Sequence, residues 1–203
     1  MTIKIILTVL SGILFGYIYP NFSFAIDHLV TISLLLMMFF VGFDFGQDKE
    51  LFNQIKKEGF SLLIYPLLIA IGSLSGALFV GLFLPIGLLP SLTCASAFGW
   101  YSLSGPLLGK LVSAELGTVA FLTNLFRELC TFFLAPILAK SSLEKGDIKP
   151  LTFAAGGATT MDSTLPVILK AAGPKTALAA FISGAILSMF APFLLQLLVS
   201  FLI

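Results

Sequence analysis

Four ionisable side chains lie inside or at the edge of long apolar stretches of this sequence. Arg127 and Glu128 are adjacent in the middle of one stretch, Asp162 lies in another, and Asp44 ends a third. A charge at the centre of a bilayer costs at least about 2.5–3.5 kcal/mol on insertion scales, so charges in such positions are usually functional. Glu128 and Asp162 are therefore predicted to bind a cation or a proton.

Each charge also has a structural interpretation. Adjacent helix positions point about 100° apart, so Arg127 and Glu128 cannot be each other's only partner. Glu128 could form an ion pair with Arg127 of a neighbouring copy, in which case the arginine is a structural counter-ion. Asp162 precedes Pro166 by four residues, where a broken helix would bring it toward Arg127. Asp44 is expected to be an interfacial cap.

Polar and aromatic residues accompany these charges. Asn124 lies one helical turn before Glu128, and Thr131 is close enough to reach either charge of this stretch, so the helix carries a polar stripe. Trp100 and Tyr101 could be aromatic contacts for an ammonium group. A packing role explains the two aromatic residues equally well.

Two segments of the chain, 95–110 and 155–170, resemble each other at an offset of 60 residues. The offset aligns Ala95 with Ala155, Ser104 with Thr164, Pro106 with Pro166 and Lys110 with Lys170. Glycine and proline interrupt helices, and backbone freed inside a membrane must be covered by protein or line a wet cavity. Two such broken helices are typical of transporters with a site between repeats. The alternative is a pair of kinked helices that pack through small residues.

The composition indicates that lipid surrounds most of the protein. Of 203 residues, 58% are hydrophobic and only 10% are charged, against roughly 45–50% and roughly 25% in globular proteins. The balance of 11 basic and 10 acidic residues does not support nucleic-acid binding. A single histidine and two cysteines in apolar segments, Cys94 and Cys130, argue against a metal site or hydrolase chemistry. No cofactor or metal is predicted.

The predicted fold class is all-α, a polytopic membrane protein in which 1–203 forms a single transport domain. A span needs about 20 apolar residues. The predicted spans are about 5–19, 29–45, 60–84, 90–111, 118–139, 150–171 and 176–203. Gly99, Gly105 and Pro106 are expected to interrupt the fourth span, and Gly156, Gly157 and Pro166 the sixth.

Lysines predict the orientation of these spans. The terminus and connections on one side of the membrane contain seven lysines, and the connections on the other side contain only three. The seven are Lys4, Lys49, Lys56, Lys57, Lys110, Lys170 and Lys175, and the three are Lys140, Lys145 and Lys149. Because basic residues near span ends favour the cytoplasm, the amino terminus is predicted to be cytoplasmic and the carboxyl terminus outside.

Three motifs resemble LysO-type lysine exporters. They are Phe98-Gly-Trp-Tyr-Ser-Leu-Ser-Gly-Pro106, Asn124-Leu-Phe-Arg-Glu-Leu129 and Gly157-Ala-Thr-Thr-Met-Asp-Ser-Thr-Leu-Pro166. The resemblance implies efflux of L-lysine and close basic analogues across the inner membrane, with intramembrane acidic residues needed for transport. Glu128 matches the acidic residue of the Arg-Glu-Leu motif. Longer members carry an additional amino-terminal segment, so a second small subunit or a second copy is expected here unless this form works alone.

The leading hypothesis is therefore a lysine exporter, not an enzyme, that exchanges lysine for protons by alternating access. Glu128, assisted by Asp162, would hold the ammonium group or a proton. Hydroxyl groups near the breaks would contact the amino-acid end, namely those of Ser102, Ser104, Thr159, Thr160 and Ser163. The alternatives are an intramembrane aspartyl protease built from Asp44 and Asp162, and an accessory subunit of a two-component transporter.

Overall fold

The structure, a computed structural model, describes residues 2–19, scattered positions between 29 and 43, residues 60–141 and residues 147–203. These residues form helices, turns and connections, and no strand occurs among them. The predicted all-α class is confirmed. The chain divides into two compact units, Met1–Val41 and Gly42–Ile203.

The described helices are numbered here in chain order. The first unit contains α1, Thr2–Ile18. Of the second predicted span, only scattered helical positions are described, and Asp44 lies outside the described residues. The second unit contains α2 (Ile64–Gly81, preceded by a 3-10 turn at Phe60–Leu63), α3 (Leu88–Ala95), α4 (Tyr101–Leu111), α5 (Ala114–Leu138), α6 (Leu151–Ala154), a 3-10 turn at Gly157–Met161, α7 (Leu165–Ala172) and α8 (Pro174–Val199).

Three described helices, α2, α5 and α8, are long and apolar enough to cross a membrane. At 1.5 Å per residue they are roughly 27 to 39 Å long, against a hydrocarbon core of about 30 Å. The long helix α5 presents Phe126 and Phe133 outward, at 60% and 73% exposure, and buries Asn124 and Glu128 at 1% and 6%. Apolar residues outside and polar residues inside are typical of a protein whose solvent is lipid.

Two helices are broken. The first break, residues 96–100, separates α3 from α4, and the second break, residues 155–164, separates α6 from α7. Each break lies between two half-helices, and α4 and α7 both carry a lysine in the last turn. The similarity at an offset of 60 residues thus corresponds to a repeated arrangement of half-helix, break and half-helix.

Of the residues predicted to interrupt the spans, Gly99, Gly156 and Gly157 lie in the breaks, and the other three lie in helices. Gly105 and Pro106 lie inside α4, so this part of the prediction is wrong. Pro166 lies in the first turn of α7 and begins that helix. A proline in the first helical turn lacks only an N–H that would have no intrahelical partner, whereas Pro106 removes one hydrogen bond from a helix that continues past it.

A short connection pairs α4 with α5. Only Val112 and Ser113 separate the two helices, and Ser113 caps α5 by accepting a hydrogen bond from the Leu116 N–H at 3.1 Å. A Cβ atom on Gly117 would lie 2.5 Å from the Gly109 Cα. Glycine at 117 therefore permits the backbones of α4 and α5 to touch.

A groove of about 460 Å³ lies between α2 and α6. Its walls are mainly apolar, and its inner end reaches the beginning of the second break. It is lined by Tyr65, Leu68, Ile69, Gly72, Ser73, Pro150, Leu151, Phe153, Ala154 and Ala155. The packing between α2 and α6 is therefore less complete than that between α4 and α5.

The carboxyl-terminal helix α8 packs directly on the 3-10 turn of the second break. Thr160 Oγ1 donates to the Ala180 carbonyl at 2.8 Å. A Cβ atom on Gly184 would lie 2.5 Å from the Met161 backbone nitrogen and 3.0 Å from the Ala158 carbonyl oxygen. Because these neighbours are backbone atoms, they cannot move aside without distorting the break.

We expect Gly184→Ala to lower the free energy of unfolding by about 1–3 kcal/mol, the usual cost of overpacking a core. Gly76→Ala in α2 is the matched control, because a Cβ there meets nothing within 4 Å. Thermal unfolding of the two variants in detergent measures the difference. Equal melting temperatures for both variants would contradict the packing described for α8.

Candidate functional site

The two breaks touch each other at their backbones. The Phe98 carbonyl accepts a hydrogen bond from the Ala158 N–H at 2.8 Å. A Cβ on Gly99 would lie 2.9 Å from the Gly156 carbonyl oxygen, and a Cβ on Gly157 would collide with the Phe98 carbonyl oxygen. Both glycines also have positive φ, +104° and +60°, which side chains disfavour. Only glycine at these positions permits the contact, which we call the crossing.

Helix α5 passes the crossing and contacts all four half-helices, α3, α4, α6 and α7. Its polar stripe faces the breaks. Because an unwound segment leaves N–H and C=O groups without helical partners, a polar side chain on a neighbouring helix must satisfy them in lipid. The stripe supplies such groups.

Asn124 holds the first break. Its Oδ1 accepts a hydrogen bond from the Gly99 N–H at 2.7 Å. Its Nδ2 donates to the Cys94 carbonyl at 2.9 Å and to Ser104 Oγ at 3.2 Å, and it also lies 2.9 Å from the carbonyl of Ala120 one turn earlier. One side chain therefore joins the end of α3, the break and the first turn of α4.

Arg127 holds the second break. Its Nε donates to the Ala155 carbonyl at 2.6 Å, and its Nη2 makes a longer contact of 3.4 Å to the Ala154 carbonyl. These carbonyls belong to the end of α6. The guanidinium lies so close to Gly157 that a Cβ there would be 2.9 Å from Nη2. The arginine thus lies directly against the crossing.

Glu128 faces the beginning of α4. The Tyr101 hydroxyl lies within hydrogen-bonding reach of the Glu128 carboxylate, and the Asp162 carboxylate is near enough to act on the same hydroxyl electrostatically. Glu128 is only 6% exposed.

Asp162 lies in the second break and is exposed. Its Oδ1 accepts a hydrogen bond from the Ser163 N–H. The expected approach to Arg127 does not produce an ion pair, since within the described part of the chain the one ion pair joins Lys175 to Asp147. Asp162 thus acts electrostatically on the Tyr101 hydroxyl and forms no ion pair with the guanidinium.

Three of the predicted hydroxyl groups form hydrogen bonds within the breaks. Ser104 Oγ accepts from Asn124, as described above, and Thr159 Oγ1 donates to the Gly156 carbonyl at 3.0 Å. Thr160 Oγ1 lies 2.7 Å from the Gly157 carbonyl in addition to its contact with α8. All three residues are buried. Their contacts stabilise the unwound backbone.

The remaining predicted contacts are more open. Ser102 is exposed and accepts a hydrogen bond from Trp100 Nε1 at 3.1 Å, and Ser163 is half-buried beside Asp162. Tyr101 belongs with them. The sequence indicated it only as an aromatic contact, and its position directly after the first break is the signal that could have pointed to its hydroxyl as a partner of Glu128.

Comparison with known proteins gives consistent results. A family model described as "Lysine exporter LysO" matches residues 6–199. The protein "Lysine exporter LysO" of Escherichia coli is 34% identical over 165 residues, which is 80% of this chain and 52% of that protein. A Haemophilus influenzae protein named "Putative lysine exporter" is 27% identical over 200 residues, 98% of each chain. No solved structure matches the chain.

The chain thus spans about half the length of the relative from E. coli and nearly the whole of the relative from H. influenzae.

We expect Asn124→Leu to destabilise the protein, because it leaves the Gly99 N–H and the Cys94 carbonyl buried without partners. Each unpaired buried group costs about 1–3 kcal/mol. Thr123→Leu, at the exposed neighbouring position, introduces the same side chain and is the control. Thermal unfolding in detergent should show a clear loss for the first variant alone. An equal loss in both would mean that Asn124 does not hold the break.

Proposed function

Because the chain belongs to the lysine exporter LysO family, we propose that it exports L-lysine and close basic analogues across the inner membrane. The observation that carries this proposal is the buried Glu128 carboxylate within hydrogen-bonding reach of the Tyr101 hydroxyl, which Asp162 also affects electrostatically. A carboxylate inside a membrane protein is costly and usually functional, and its negative charge attracts a cationic solute.

Glu128 and Asp162 are the proposed ligands of an ammonium group. An ammonium has three donors and no acceptor, so two carboxylates and the Tyr101 hydroxyl oxygen match it in number and type. Trp100, Ser102 and Ser163 lie next to this cluster in the chain and are proposed to complete the contact. Asn124, Ser104, Thr159 and Thr160 act by holding the breaks in shape, since their polar groups already bind backbone or each other.

Exchange of lysine for a proton is the proposed coupling. A carboxylate that holds a proton has lost the charge that attracts an ammonium group, so the two cations compete for Glu128. Alternating access would expose the cluster first to one side and then to the other. In this proposal residues 1–203 form a single transport domain of about seven spans.

The lysine distribution supports an amino terminus in the cytoplasm and a carboxyl terminus outside. A second copy or a second small membrane subunit is proposed as the partner, because the region similar to this chain covers only 52% of the relative from E. coli. Reconstitution of the purified chain alone tests the need for a different subunit. Lysine efflux from such vesicles would exclude it.

We expect Glu128→Gln to reduce lysine efflux by about tenfold or more, since hydrogen bonds to charged groups contribute about 1.5–3 kcal/mol. Glu115→Gln is the control, because Glu115 lies exposed in the first turn of the same helix. Efflux of radiolabelled lysine from proteoliposomes measures both variants. Undiminished efflux by Glu128→Gln would refute the assigned role.

Proton exchange has its own test. A pH-sensitive dye enclosed in the vesicles should report proton entry that begins with lysine efflux and is absent from vesicles with Glu128→Gln. Glu115→Gln should retain it. Lysine efflux from wild-type vesicles without proton movement would leave export intact and exclude antiport.

A further inference from the structure

Arg127 is the one described residue at the crossing that carries a permanent positive charge. Its hydrogen bonds use only some of the N–H donors of the guanidinium. A guanidinium has five N–H donors. Two contacts reach the end of α6, through Nε and Nη2. Within the described residues, both N–H groups of Nη1 and one of Nη2 meet no acceptor, and no carboxylate lies within 4 Å.

The unused face of this guanidinium is not fully enclosed, since Arg127 is half-buried. Nη1 is not one of the fully buried atoms without a partner, which among the described side chains are Thr152 Oγ1 and Ser183 Oγ. The fixed contacts through Nε and Nη2 hold the group in one orientation. A charged, oriented and partly exposed donor fork is suited to a carboxylate, which it can bind through two parallel hydrogen bonds.

Arg127 and Glu128 both lie next to the short stretch formed by residues 99–101. A Cβ on Gly99 would lie 3.8 Å from the Arg127 Cδ, and Tyr101, two residues later, faces Glu128 and Asp162. The cluster thus has a cationic end and an anionic end. With both carboxylates ionised, the three charged groups sum to −1, which complements a basic amino acid of net charge +1.

We propose that the free face of Arg127 binds the α-carboxylate of the exported amino acid, while Glu128 and Asp162 bind its ammonium groups. This inference rests on the proposed export of lysine. It makes Arg127 the residue that distinguishes a basic amino acid from an amine of similar length without a carboxylate.

The test compares ligands that differ only at the carboxylate. Proteoliposomes with the full chain exchange radiolabelled lysine in the presence of unlabelled L-lysine, lysinamide or cadaverine. For the wild type, lysinamide and cadaverine should inhibit at least about tenfold less well than lysine, the usual loss of a charge-assisted pair. Equal inhibition by all three would overturn the inference and leave lysine export standing, whereas no lysine exchange would refute the proposed function itself.

Variants test whether Arg127 is the residue that distinguishes lysine from lysinamide. Arg127→Gln should weaken inhibition by lysine to the level of lysinamide, so that the ratio of the two approaches one. Lys170→Gln removes one positive charge from the exposed last turn of α7 and should keep the wild-type ratio. The ratio compares two ligands on the same folded protein, so partial loss of folded protein does not change it.

Arg127→Lys covers the case in which Arg127→Gln does not fold. It keeps the charge and a single donor toward Ala155 but lacks the fork, so its ratio should fall between those of the wild type and one. A wild-type ratio in Arg127→Gln, or in Arg127→Lys where the glutamine variant does not fold, would overturn the assignment of the carboxylate to Arg127.

Discussion

The structure depends on one constraint, which is that backbone polar groups released from a helix inside lipid must find partners within the protein. Two helices are broken here, and the released groups meet at one point. Phe98 binds Ala158 across the crossing, and Asn124 and Arg127 bind the adjoining backbone of the first and second breaks. The polar stripe on α5 exists where it does because the breaks lie beside it.

The polar stripe of α5 contains both the residues that hold the breaks and the proposed ligand Glu128. Asn124 and Arg127 are one turn apart and hold different breaks, while Glu128, next to Arg127, faces the first residue of α4. Any change in the position of α5 therefore alters the shape of both breaks and the surroundings of the carboxylate together. This arrangement places two of the charges inside the apolar segments, Arg127 and Glu128, on one turn of α5.

Composition and periodicity predicted the helical membrane class, because apolar residues and the absence of charge act over whole segments. They also predicted two broken helices from an internal repeat. The prediction of a break at Pro106 is wrong, because α4 continues through this proline. The contact of Gly99 and Gly157 across the crossing joins two segments distant in sequence, so neither segment alone predicts it. The hydrogen bond of the Thr160 hydroxyl to α8 could not be predicted for the same reason, because its partner is distant in sequence.

The hydrogen bonds from α5 into both breaks have a mechanical consequence. Asn124 and Arg127 cannot change their distance from either break without losing their bonds, so these bonds tie α5 to both breaks. The groove between α2 and α6 lies outside this set of bonds. A shift of α2 alone would therefore break none of the hydrogen bonds that Asn124 and Arg127 make.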